Sequence, residues 1–151
     1  MYAYLSHTPR VRPLNGSAPP DPDSDLVLLL DGYRPSGGLA RADEMASVLK
    51  PFQPEEFRTI ARWIAAKDVV CVYWGSHYWL PLFQFDRTHG APRTELRNVL
   101  AQLRPFDAWE IAIWFATPSP WLAGELPANL LAFRALEVEE AARATRFAVR
   151  G

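Results

Sequence analysis

VVCVYWGSHYWLPLFQFD, Val69 to Asp86, carries the clearest extended-chain signal in this 151-residue sequence. Two runs of β-branched and aromatic residues flank Gly75-Ser76, a pair suited to a primed two-residue turn, so the segment is predicted to fold as a β-hairpin. That register sets Trp74 opposite His77 and Val72 opposite Trp79. Pro81 has no N–H to give to a ladder, which predicts that the second strand lies at an edge or is interrupted there.

Working upstream, Pro54 to about Lys67 reads as a helix with Phe57, Ile60, Ala61 and Ile64 on one face and Glu55 and Glu56 near its positive end. LARADEMASVL, Leu39 to Leu49, places Leu39, Ala42, Met45 or Ala46, and Leu49 at helical spacing, and Pro51 stops it. Two short helices followed by a hairpin, Leu39 to Phe85, is the order of an abbreviated winged-helix unit. DLVLLLDGY, Asp25 to Tyr33, is a short apolar run with a Gly-containing turn behind it and is expected to form a buried strand. Before it, Pro9, Pro13, Pro19, Pro20 and Pro22 interrupt a stretch without periodicity, predicting an extended arm. Within that stretch DPDSD opens like an EF-hand loop, but Leu26 stands where the template needs Gly and Gly32 where it needs Glu.

Downstream the pattern turns helical. TELRNVLAQL aligns Leu96, Val99, Leu100 and Leu103 along one face behind a Thr94 cap. FDAWEIAIWF offers Asp107 and Glu110 as a capping box, with Ala108, Ile111, Ala112 and Phe115 on one stripe and an end at about Thr117 before Pro118. Pro127 suits the first turn of a short helix, PANLLAF, and EVEEAARATRFAV forms the last, acidic at its start and basic at its end through Arg143, Arg146 and Arg150. The expected class is therefore α+β, mainly α. It comprises an arm over 1–24, a strand with two helices and a hairpin (winged-helix-like) over 25–86, and a small helical bundle over 87–151 packed with 25–86 as one globular domain.

Composition narrows the function classes. The chain is 49% hydrophobic and 13% aromatic, so its six Trp, five Tyr and eight Phe must dominate a core or an interface. A net charge of −1 gives no global attraction to phosphate backbones or anionic membranes. No apolar run, Leu26 to Leu30 included, is long enough to span a bilayer, MYAYLSHTPR lacks the apolar core of a signal peptide, and one Cys cannot make an internal disulfide. These features set a cytoplasmic expectation.

Chemistry-bearing motifs are missing: there is no G-x-S-x-G elbow, phosphate loop, dinucleotide fingerprint, H-E-x-x-H or C-x-x-C. Cys71, between Val70 and Val72, is expected to be a packed thiol whose desolvation disfavours the thiolate. His77 and His89 sit beside glycines as turn residues, and Glu55/Glu56 and Glu139/Glu140 lie at helix starts, where the dipole explains them. No enzyme, cofactor or metal site is expected. As a DNA-binding regulator the chain would use Arg58, Arg62 and Lys67. Against that, Leu39 to Asp68 holds five basic and five acidic residues, and WGSHYW has no Lys or Arg.

LPLFQFD, a helix with NVLAQL, WEIAIWF, TPSPWLAGELPANLL and a final helix with AARA occur in that order. Together, over about Pro81 to Arg146, they resemble the toxin-binding domain of the Xre/MbcA/ParS antitoxin group. The residues matching its motif are Phe83, Gln84, Phe85, Trp114, Phe115, Pro118, Leu122, Gly124, Pro127, Leu130 and Leu131. Ser119 stands where the family has Asn, a hydroxyl still able to make a local turn bond, and the shorter Leu39–Phe85 unit stands in place of a longer helix-turn-helix. The resemblance implies a homodimer that binds and neutralises a cognate toxin, often a RES-domain enzyme acting on NAD. The partner surface would comprise Trp114, Phe115, Pro118, Trp121, Leu122, Gly124, Pro127, Leu130, Arg143 and Arg146.

Within that surface FATPSPWLAGELPANLLAF, Phe115 to Phe133, is punctuated for a bend: Pro118 ends one helix, Gly124 permits a turn and Pro127 starts the next helix. Trp121 and Leu122 exceed what a bend needs. They either plug the core beneath the loop or form the apolar centre of a partner site.

Overall fold

The structure is a computed structural model and describes residues 21–49 and 56–150. The fold is α+β and mainly α. The arm expected over 1–24 lies outside the described residues up to 20, and so do the Pro51 stop and the Pro54 start of the second helix.

The first described element overturns an expectation. Asp25 to Tyr33 is no strand: helix α1 runs Pro22–Gly32. Asp21 caps it, accepting the Ser24 N–H at 3.4 Å, Pro22 fills the first turn, and Asp23 and Asp25 lie at its positive end. Leu26, Leu29 and Tyr33, at i, i+3 and i+7, are buried while Leu30 is exposed, so the run follows the 3.6 period. Leucine is a good helix former, and a leucine-rich run does not force a strand. Residues 22–24, expected in the arm, are its first turn.

Leu39 to Arg41 likewise form a strand, β1, rather than the start of a helix. Gly37 and Gly38, at φ 117° and 85°, swing the chain alongside the hairpin. Helix α2 then runs Ala42–Leu49, with Glu44 accepting the Arg41 N–H at 2.7 Å, and helix α3 spans Glu56–Ala66.

The hairpin folds as expected from β2, Val72–Trp74, and β3, His77–Pro81. Trp74 faces His77 and Val72 faces Trp79. Gly75 and Ser76 both have positive φ, 58° and 66°, as a primed turn requires. The sheet order is β1-β3-β2, so β3 is the middle strand, and of the two alternatives set by Pro81, an edge or an interruption, the structure takes the second. The strand ends there, opposite Leu39, and a 3-10 turn over Leu82–Gln84 follows. A two-residue ladder, β4 Phe85–Asp86 with β5 Ala91–Pro92, leads to the helices.

These are α4 Leu96–Gln102, α5 Ala108–Phe115, α6 Pro127–Leu130 and α7 Ala135–Arg150. The Asp107/Glu110 capping box on α5 is present, with Glu110 N–H on Asp107 Oδ1 at 2.8 Å and Asp107 N–H on Glu110 Oε1 at 2.9 Å. Thr94 does not cap α4: the chain enters by a turn that puts the Leu96 N–H on the Arg93 carbonyl, leaving Thr94 exposed within it. α5 ends at Phe115 with Ala116 as its C-cap, close to the end expected at about Thr117, and α7 begins at Ala135, ahead of Glu137.

The sheet divides the apolar interior. Ala40 and Leu80 face α2 and α3 with Met45, Ile60, Val69 and Phe85. Val72 and Trp79 face the larger cluster, where α1, α4, α5 and α7 meet through Leu29, Tyr33, Val99, Leu103, Ile113, Phe115, Leu131 and Val138. At about 1.5–3 kcal/mol for each fully buried large side chain, the second cluster supplies most of the driving force for folding. α1 closes on α5 at Gly32, where an added Cβ would stand 2.6 Å from the Ala116 carbonyl oxygen. Among the described residues no helix is long and apolar enough to cross a membrane.

Candidate protein-binding site

The loop from Ala116 to Leu126 is built around Ser119. Its N–H donates to the Glu125 carbonyl at 3.0 Å, and its carbonyl accepts from Leu122 (3.0 Å) and Gly124 (2.8 Å). Its hydroxyl accepts the Trp121 N–H at 3.2 Å, so the turn bond expected of Ser119 is made. Gly124, at φ 83°, takes the conformation expected to need glycine. Ala123 also lies in the left-handed region, at φ 57°, a cost of about 1–2 kcal/mol that the surrounding bonds hold in place.

This loop separates the two residues whose roles were open. Leu122 is buried at 6% exposure and joins the larger cluster, while Trp121 stands 55% exposed on a 3-10 turn, Pro120–Leu122, that packs against α7. Exposed Pro118 lines a shallow groove with Leu28, Leu30, Arg34, Ala116 and Thr117.

Several residues implied as partner contacts belong to the interior, which corrects their role. Trp114 is 6% exposed, its indole N–H donating to Thr145 Oγ1 at 3.0 Å, and Thr145 in turn donates to the Ala141 carbonyl at 2.8 Å. Phe115 is fully buried between Trp114, edge-on at 5.0 Å, and Phe83 at 4.9 Å. Phe83 stacks on Tyr33 at 5.6 Å. Burial pushes the Tyr33 hydroxyl well above its ordinary value, so it stays protonated and donates to the Ala112 carbonyl. Pro127 is buried too, Leu130 half-buried, and Gly124 exposed but side-chain-free. Arg143 pairs with Glu140 at 2.7 Å and Glu139 at 3.7 Å, and Arg146 lies over the Phe147 ring at 5.3 Å.

The Phe83-Gln84-Phe85 segment is structural as well. Gln84 is fully buried: its Oε1 accepts the Val70 N–H at 2.6 Å and its Nε2 donates to the Val70 and Pro81 carbonyls at 2.9 Å each. One side chain thereby pairs both backbone groups of Val70, which lies outside the sheet.

The remaining candidates are dispersed. Arg58, Arg62 and Lys67 are exposed along α3 and just past its end. Tyr73 and Tyr78 form an exposed edge-to-face pair, 4.8 Å apart, on the hairpin. Burial pushes the Cys71 thiol up to about 12, leaving almost no thiolate at neutral pH. His77 is exposed, and His89 holds Asp86 at 2.8 Å, a hydrogen bond that keeps that carboxyl below its ordinary value. Among the described residues no group of three or more His, Cys, Asp or Glu is placed to hold a metal ion.

Sequence reasoning passed over one feature. Phe133, Leu136 and Phe147 are exposed at 81%, 77% and 60%. The spacing of Leu136, Glu140, Arg143 and Phe147 marks a stripe opposite the buried Val138, Ala141, Ala142 and Thr145. Comparison with known protein families, with curated proteins and with solved structures finds no match to this chain.

Proposed function

We propose that the chain is a protein-binding module of the antitoxin type, which captures a cognate toxin protein in the cytoplasm and blocks it through the Pro118–Pro127 loop. A RES-domain enzyme is the first candidate toxin, from the motif resemblance. The observation that carries the reading is Trp121: a large aromatic 55% exposed on a loop whose backbone is bonded across its neck. Tryptophan is enriched at interface hot spots, and a side chain held on a fixed backbone loses little further entropy on docking. The groove lined by Leu28, Leu30 and Pro118 offers adjoining apolar area.

Co-expression with the product of the neighbouring gene, with a tag on one partner, tests the reading. Retention of that product, relief of its toxicity and loss of both in Trp121→Ala are expected. A toxic neighbour that is neither retained nor neutralised would sink it.

A second reading, a winged-helix DNA-binding regulator, draws support from the element order β1-α2-α3-β2-β3 with sheet order β1-β3-β2. Arg58 and Arg62 are exposed on α3. Binding to the promoter of its own gene at two salt concentrations decides it, because phosphate contacts strengthen as salt falls. Absence of a complex at the lower salt removes this reading.

A further inference from the structure

We infer that the outer face of α7 is a self-docking surface that pairs antiparallel with the same face of a second copy of this chain. Val138, Ala141, Ala142 and Thr145 bury one side of the helix. On the opposite side Leu136, Glu140, Arg143 and Phe147 fall in one stripe at i, i+4, i+7 and i+11, about 16 Å long at 1.5 Å per residue. Leu136 and Phe147, at 77% and 60% exposure, are its ends, and Glu140 and Arg143, bonded at 2.7 Å, are its middle.

The order of these four residues is what commits the face to a second copy. Read forward the stripe is apolar, acid, base, apolar; read backward it is apolar, base, acid, apolar. An antiparallel pair with a two-fold axis midway between Ala141 and Ala142 therefore sets Leu136 against Phe147 and Glu140 against Arg143, twice over. Each Arg143 then stands between its own Glu140 and that of the other chain, and both exposed apolar ends are covered. An unrelated partner would have to carry this same pattern, which the helix itself supplies. Because the core stripe lies on the opposite side, pairing requires no rearrangement of the domain. The inference rests neither on toxin binding nor on the Trp121 loop.

A single helix pair is small beside the roughly 1,600 Å² of a standard interface, so the dimer is expected to be weak, with a dissociation constant on the order of 10 µM or above. Sedimentation equilibrium of the full chain from about 5 to about 500 µM should show a concentration-dependent dimer. Leu136→Glu, at a solvent-exposed position that leaves the fold intact by circular dichroism, should abolish it. Glu140→Arg and Arg143→Glu should each weaken it by about tenfold or more, because each variant opposes like charges across the axis. Mixed one to one, those two variants should recover association: the arginine introduced in one chain then meets the glutamate introduced in the other, although neither chain regains its internal Glu140–Arg143 pair. A monomer at every concentration overturns the proposal. So does a dimer that Leu136→Glu leaves intact, or a mixture no tighter than its components.

Discussion

Helix α5 and the loop that follows it both carry large apolar residues, yet the helix leaves none of its own exposed and the loop holds one out. Trp114 and Trp121, seven positions apart, show the contrast: one is 6% exposed with its indole N–H on Thr145, the other 55% exposed. The backbone makes the difference. On α5 the 3.6 period aims Ile113, Trp114 and Phe115 at α1, α7 and the Phe83 turn. In the loop the bonds at Ser119 hold the neck and left-handed Ala123 and Gly124 reverse the chain, leaving adjacent Trp121 and Leu122 on opposite sides.

Substitutions can break that contrast. The largest effect is expected from Phe115→Ala, which empties the centre of the Tyr33, Phe83, Trp114 group. Urea denaturation should show a loss of about 3–5 kcal/mol, and a loss under about 1 kcal/mol would mean that α5 is not central to the core. Next comes Gln84→Ala, which strands the buried N–H and carbonyl of Val70. The expected cost is about 2–3 kcal/mol, with faster amide exchange at Val70 as a local readout.

Gly32→Ala sharpens the comparison from the α1 side. Its new methyl would stand 2.6 Å from the Ala116 oxygen and 2.9 Å from the Ala116 Cβ, and a helix end cannot swing aside as a flexible side chain does. A destabilisation of about 1–2 kcal/mol is expected, and a neutral result would show that α1 rides loosely on α5. Trp121→Ala should be the mildest, within about 0.5 kcal/mol of the parent, while removing partner retention. Unfolding of that variant would place Trp121 with α5 rather than opposite it.

The hairpin, its register and the α5 capping box were legible in the sequence because each rests on local chemistry: a Gly-Ser turn, β-branched alternation, an acid three residues past an Asp. The first helix was not. Five consecutive apolar residues, Leu26 to Leu30, satisfy a buried strand and a helix equally, and the deciding contacts, Leu29 and Tyr33 on the C-terminal helices, are distant in sequence. β1 was missed for the same reason, since Leu39–Arg41 is extended only because β3 lies beside it. For the candidate site the motif order marked the right loop but not which of its side chains face water. Trp114 and Phe115 belong to the core, and the α7 stripe was obscured by the acidic-to-basic gradient along the same helix.

The exposure of Trp121 has a spectroscopic use. The other five tryptophans, Trp63, Trp74, Trp79, Trp109 and Trp114, are half-buried or buried, so a water-borne quencher such as iodide reaches the Trp121 indole before the rest. Trp121 then leads the quenchable fraction of the native emission. A partner that covers the loop would shield that fraction and shift it to the blue, so the unlabelled protein carries its own optical titration of the site.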